Sequence, residues 1–129
     1  TIGAGKEKNG LGHMALALEN ASHRLAEAAA VLSKTAKSPN VKQAFAHAFP
    51  FLEAMGDVIM GWMRLWRAVV ATDALAKGAK AKDQEFYLGQ IKTSEFFIHA
   101  VLPCTLGKMD SIIHMCNAAN EMEEAWFGN

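Results

Sequence analysis

Apolar residues recur along this chain at intervals of three and four and almost nowhere in strict alternation, a pattern of amphipathic helices and not of strands. Three long segments carry it. The first covers residues 11–36, where Leu18, Leu25 and Leu32, spaced by seven, form a heptad-like row that predicts a packing seam. Leu16, His23, Ala26, Ala30 and Ser33 fall on a different side. Ala26, Ala28, Ala29 and Ala30 leave room for a neighbouring helix, and Lys34 and Lys37 suit the negative end of the helix dipole. Ser38 followed by Pro39, a cap residue with proline at the first helical position, opens the second segment, and Lys77-Gly78 closes it. Pro50 lies inside it and predicts a kink or a split. The third segment starts near Asp83, with Glu85 in its first turn, and runs to residue 115 with a kink at Pro103. A short fourth helix is expected from Asn120, with Glu123 three residues on as a capping box. The loops are brief, so neighbouring helices should be antiparallel. The expected fold is all-α: an up-and-down antiparallel bundle of three long, Pro-kinked helices plus a short C-terminal helix, four-helix-bundle-like, in one domain over residues 1–129.

The second segment is the most apolar. At 100° per residue, Glu53, Asp57, Arg64 and Arg67 gather within a stripe of about 80°, while Met55, Ile59, Trp62, Trp66 and Val69 lie opposite and Val58, Met63, Leu65 and Val70 fill the flanks. This predicts a helix buried over most of its circumference, either central in the bundle or covered by a second subunit. A membrane span fits poorly, because four mid-segment charges would cost about 10 kcal/mol on insertion. Trp62 and Trp66 read as packing residues, and truncating either, if fully buried, would cost about 3–5 kcal/mol. Gly56 and Gly61 are either sites of close approach or tolerated beside the Pro50 kink. On the third helix, Phe86, Tyr87, Ile91, Phe97, Ile98 and Val101 share one face, and Lys92, Glu95 and His99 the opposite one at ion-pair spacing. Leu88 and Phe96 sit on or beside that polar face, which marks them for contact with something outside the chain. Leu88, Phe96, Trp62 and Trp66 form the candidate interface set.

Hydrophobic residues make up 51% of 129, so disorder is not expected, and a chain of this length buries a core without staples. Thirteen acidic and thirteen basic side chains balance, which argues against a nucleic-acid surface. Two cysteines, Cys104 and Cys116, fit neither a zinc site nor a disulfide framework, and the first twelve residues lack the apolar core of a secretory signal; a cytoplasmic protein is the expectation. The chain begins with Thr1 and not with methionine, so it is read as a piece of a longer protein.

The search for chemistry returns no catalytic, cofactor-binding or metal-ligating set. A carboxylate-bridged di-iron bundle uses Glu-x-x-His, whereas Glu19 and His23, and Glu95 and His99, are four apart and read as exposed ion pairs. His13, His47 and His114 are scattered. The glycine-rich stretch 3–10 lacks the preceding strand of a phosphate loop, and no serine sits in Gly-x-Ser-x-Gly. Ser33, Ser38, Ser94 and Ser111 read as caps or helix surface, and Cys104, after Pro103, as a buried inert thiol.

Two stretches match a known pattern. GDVIMGWMRLWRAVVA (56–71) followed by FYLGQIKTSEFFIHAVLP (86–103) resembles the extra C-terminal helical domain of the larger acyl-CoA dehydrogenases. That module pairs a glycine-containing, tryptophan-bearing helix with a later helix in which Phe86, Tyr87, Thr93, Phe96, Phe97, Leu102 and Pro103 fill the matching places. Gln90 stands where the family usually has lysine, and Ser94-Glu95 replace an alanine and a commonly basic residue. The closing EMEEAWF is similar to the module's terminal helix, and the likeness covers about residues 45–127. The resemblance implies a fragment of an FAD-dependent enzyme that removes two hydrogens across the α–β bond of an acyl-CoA thioester, with the flavin and the catalytic carboxylate in preceding domains. It implies as partners the remainder of that dehydrogenase and its partner subunit, in a homo-oligomer. Two other readings stand beside it: a nucleic-acid-binding C-terminal module like that of an alkylation-response flavoprotein, for which Lys77, Lys80 and Lys82 are the nearest basic cluster, and a freestanding self-associating bundle.

Overall fold

A computed structural model of the chain describes residues 2–7 and 10–128. Helix α1 (Ile2–Glu7) leads into α2 (Gly12–Ala36), α3 (Val41–Ala46), α4 (Ala48–Ala76), α5 (Ala81–Phe96), a π-helical turn (Phe97–Val101), α6 (Leu102–His114), α7 (Ala118–Glu121) and a 3-10 turn (Glu124–Phe127). No strand occurs among the described residues. α2 runs up, α4 down, and α5 with α6 up again, so the bundle is the expected all-α, up-and-down one.

The two interior prolines act differently on the long segments. The expected second helix splits at His47 into α3 and α4, and Pro50 becomes the third residue of α4, where its missing N–H would lack an intrahelical partner anyway. Phe51 N–H donates to His47 O at 3.2 Å and closes the first turn. Pro103 does not break its helix. The π turn just before it takes up the bond that proline cannot make, so α5, the turn and α6 stay one rod. That rod, Ala81–His114, is long and apolar enough by length and composition to cross a membrane. Its row of Ser94, Ile98, Leu102, Thr105, Met109 and Ile112 is buried in the bundle instead.

Several local expectations are corrected. The second segment starts at Val41 and not at Pro39; Ser38 Oγ accepts the Asn40 N–H at 3.1 Å and donates to Thr35 O at 2.7 Å, which makes it a turn residue. Asn120 caps nothing: α7 starts at Ala118, Asn120 Nδ2 donates to Asn117 Oδ1, and Glu123 is extended. Ser94 is fully buried, its hydroxyl donating to Gln90 O at 2.7 Å, whereas Cys104 is exposed. Helix α1 was not foreseen. It holds most of the glycine-rich stretch 3–10, of which Lys8 and Asn9 lie outside the described residues.

The core consists of Leu11, Met14, Ala15, Leu18, Ala21 and Ala28 from the first segment, Ala54, Val58, Leu65, Ala68 and Val69 from α4, and Ile98, Leu102, Met109 and Ile112 from the third rod. Leu25 and Leu32 pack against it, so the leucine row is the seam it was read as. Small residues bring the helices close. A Cβ on Gly61 would stand 3.1 Å from Leu18 Cδ1 and 3.6 Å from Leu102 Cδ2, and one on Gly5 would stand 3.1 Å from Ala15 Cβ and 3.2 Å from Leu65 Cδ1. Gly56 has nothing within 4 Å of such a position, so of the two glycines in α4 only Gly61 marks a close approach within the chain.

Ion pairs tie the rim. Lys6 reaches Glu19 at 2.5 Å, linking α1 to α2, and Arg24 Nε donates to Asp110 Oδ1 at 2.7 Å, linking α2 to α6. Lys92 pairs with Glu95 at 2.7 Å. The hydrogen bond from Lys6 holds the Glu19 carboxyl below its ordinary value of 4.5, and Lys92 does the same for Glu95. A depressed carboxyl contributes stability above its unfolded pKa and loses it as pH falls through the folded one. Thermal unfolding should therefore shift downward as pH drops below 4.5, and a Lys6→Met, Lys92→Met variant should show a shallower decline in that window. Equal slopes for parent and variant would count against these pairs.

Candidate functional site: the uncovered face of the central helix

α4 meets its neighbours through Ala54, Val58, Gly61, Leu65, Ala68, Val69 and Ala71. Most of these residues are small, and they fill the arc turned toward α2, α5 and α6. At the acidic edge of that arc Thr105 Oγ1 donates to Asp57 Oδ2 at 2.6 Å, and Lys108 Nζ lies 3.6 Å from Glu53 and 4.0 Å from Asp57. Arg64 and Arg67 continue the polar edge, and Arg64 Nε is buried with no hydrogen-bond partner among the described residues.

The larger side chains point the other way. Phe49, Leu52, Ile59, Met60, Met63 and Val70 are exposed, as are Trp62 and Trp66 at 44% and 52%. This corrects the expectation of a helix buried over most of its circumference by its own bundle. The tryptophan side is not the core side, and the two tryptophans are not core residues of this chain. Phe45 of α3 is exposed as well and lines a separate cleft with Leu32, Ser33, Ala36 and Phe51. At one end the apolar strip opens into a shallow cleft of about 220 Å³ lined by Trp66, Arg67, Val70, Ala71, Phe86, Tyr87 and Gln90. Phe86 and Tyr87 meet edge-to-face there, their centroids 5.6 Å apart. Phe86 was assigned to the packing face of the third helix, yet it is exposed; Tyr87, Ile91, Phe97 and Val101 of that face are partly buried and Ile98 fully so.

Of the four candidate interface residues, the structure brings Trp62 and Trp66 onto one strip. Leu88 and Phe96, exposed at 54% and 67%, stand on α5 away from the cleft. Phe49, Leu52, Ile59, Met60, Met63 and Val70 belong to the same surface and were not foreseen. Their signal was the distribution of small residues: Ala54, Gly61, Ala68 and Ala71 repeat at the spacing of one helix face, and that face is the one able to approach a neighbour.

This surface presents no assembled chemistry. Among the described residues no group of three or more His, Cys, Asp and Glu could hold a metal ion. Lys77, Lys80 and Lys82 are exposed around the turn between α4 and α5. Such a bundle is a helical domain whose core is closed by its own residues and whose central helix leaves an apolar face uncovered. Residues 1–123 match the family described as acetyl-CoA dehydrogenase C-terminal like, and the chain belongs to that family of accessory helical domains of acyl-CoA dehydrogenases. Over 77 residues, 60% of the chain, it is 35% identical to the broad-specificity linear acyl-CoA dehydrogenase FadE5 of Mycobacterium tuberculosis; the match covers 13% of that protein's length.

Proposed function

We propose that the chain is a single C-terminal domain of a longer, cytoplasmic, FAD-dependent acyl-CoA dehydrogenase, and that it serves packing and subunit contacts while the oxidation of the acyl-CoA thioester is carried out by residues outside this sequence. The observation that carries the reading is the uncovered apolar surface of α4 and α5 on a bundle whose core is closed by its own residues. In water such a surface is a liability, and covering it with protein turns it into stabilisation. Leu88 and Phe96 on the outer side of α5 would meet the catalytic body, and Trp62 and Trp66 the partner subunit.

The described residues do not fit the flavin. The 220 Å³ cleft is open, mostly apolar, and supplies one guanidinium, from Arg67, against the two phosphates of a dinucleotide. In the parent, FAD would be held by residues outside this sequence and would supply the two-electron acceptor; this chain's own contribution would be to exclude water from the surfaces it covers. The test is expression of the full open reading frame. The expected product carries a flavin by its visible absorbance and dehydrogenates acyl-CoA, and a Leu88→Glu, Phe96→Glu variant loses thermal stability of the holoenzyme. A flavin-free upstream region, or turnover by residues 1–129 alone, would overturn the reading.

A further inference from the structure

We propose that the exposed face of α4 receives a second copy of this chain, the two α4 helices packing antiparallel about a two-fold axis that passes between Ile59 and Met60. The inference rests on the reading above, that protein covers this face, and names the occupant. Four features of the helix point to it.

The outward row is its own complement. Reversed and laid on itself about that axis, Phe49 falls opposite Val70, Leu52 opposite the aliphatic stem of Arg67, and Gly56 opposite Met63, with Ile59 opposite Met60 at the centre. All but Gly56 among the apolar members are large and exposed. Gly56 is the one position in the row without a side chain, its surroundings are open, and the residue it meets is a long flexible methionine: a hole and its knob, presented twice by the symmetry.

The charges select the direction. The first half of the polar edge is acidic, Glu53 and Asp57, and the second half basic, Arg64 and Arg67. Antiparallel packing brings Glu53 of each copy beside Arg67 of the other; parallel packing would leave the acidic and basic halves at opposite ends of the contact, unpaired across it. Glu53 is exposed enough to take part while Lys108 stands 3.6 Å away.

The area suffices. Eight large side chains on this strip, each about half exposed and each offering roughly 200 Å² in full, give on the order of 800 Å² per copy, against the roughly 800 Å² per partner of a stable interface. Finally, an isologous contact requires a self-complementary surface, whereas a face built for an unrelated partner has no reason to be palindromic.

Sedimentation of the 129-residue chain, whose core is self-contained, should show a monomer–dimer equilibrium between about 1 and 100 µM. Gly56→Leu, for which the monomer has open space, should weaken the dimer at least about tenfold with unchanged helix content. Arg67→Glu should weaken it too, and adding Glu53→Arg should restore it. With Cys104→Ser and Cys116→Ser in place, Met60→Cys should link two copies through a short bismaleimide, while Gln84→Cys should not. A strict monomer across that range overturns the proposal, as does a dimer indifferent to Gly56→Leu in which Met60→Cys gives no cross-link. If the chain is monomeric while the intact enzyme still depends on Leu88 and Phe96, the pairing of α4 fails and the accessory role stands; a parent without flavin fails the role itself.

Discussion

Leu65→Ala is expected to lower the unfolding free energy of the chain by about 3–4 kcal/mol, and Trp66→Ala, one residue further on, by less than about 1 kcal/mol. Leu65 is 0% exposed. Its two methyls meet the position a Cβ would take on Gly5, at 3.2 and 3.4 Å, so the side chain seals the seat of α1 as well as the bundle interior. Removing it leaves a cavity between backbone segments that cannot collapse, because Ala15 and Ala68 on either side are already small and fully buried. Trp66 has the larger side chain but leaves half of it in solvent and contributes to the cleft and not to the core. Urea titration of both variants, at concentrations where the chain is monomeric, measures the contrast. A Trp66→Ala cost equal to that of Leu65→Ala would mean that the tryptophan side is packed inside the monomer after all.

The contrast also shows what the sequence could and could not reveal. The helical class, the leucine seam of α2 and the split near Pro50 were legible because each rests on a local signal: a period of 3.6, a row spaced by seven, a proline. The kink expected at Pro103 is replaced by a π turn that keeps the third helix one rod. What failed was the choice of face on α4. Ranking positions by hydrophobic size put Trp62 and Trp66 inside and treated Gly61 as ambiguous. Helices that approach closely reverse that ranking, since the contact is made by Ala54, Gly61 and Ala68, and bulk is excluded from it. The polar stripe was placed correctly but read as the sole wet surface, whereas Asp57 within it is held by Thr105 and its far side continues into exposed methionines. α1 was missed for a related reason. A short glycine-containing segment has weak helix propensity, and its helicity comes from docking Gly5 on Ala15 and Leu65, contacts that exist only after the bundle forms.

The exposed face therefore had a signature, but one spread over two levels. Leu88 and Phe96 stood out because they interrupt a polar face. Phe49, Leu52, Met60 and Met63 did not, because they looked like core until the small residues had claimed that role. The interior is closed by alanines and leucines with Met14, Val58, Val69, Ile98, Met109 and Ile112, and Trp62 and Trp66 stay on the surface.

Gly61→Val should destabilise the chain by about 3 kcal/mol through overpacking, while Gly56→Ala, five residues earlier on the same helix, should stabilise it by about 1 kcal/mol through helix propensity. At position 61 the new Cβ would already press on Leu18 Cδ1 at 3.1 Å. Leu18 and Leu102 are both buried, so neither methyl has solvent to retreat into, and valine adds two further carbons along the same direction. The chain must then either separate α4 from α2, giving up contacts along the whole seam, or turn both leucines out of their rotamers. At position 56 a Cβ meets nothing within 4 Å, so only the backbone term remains, and it favours alanine. Opposite signs for two glycine substitutions in one helix, read from thermal and urea unfolding of the monomer, would establish that α4 is positioned by its smallest residue. If Gly61→Val were neutral, the closeness of α2 and α4 on which this account of the exposed face depends would be wrong, and the large residues of α4 would regain their claim to the core.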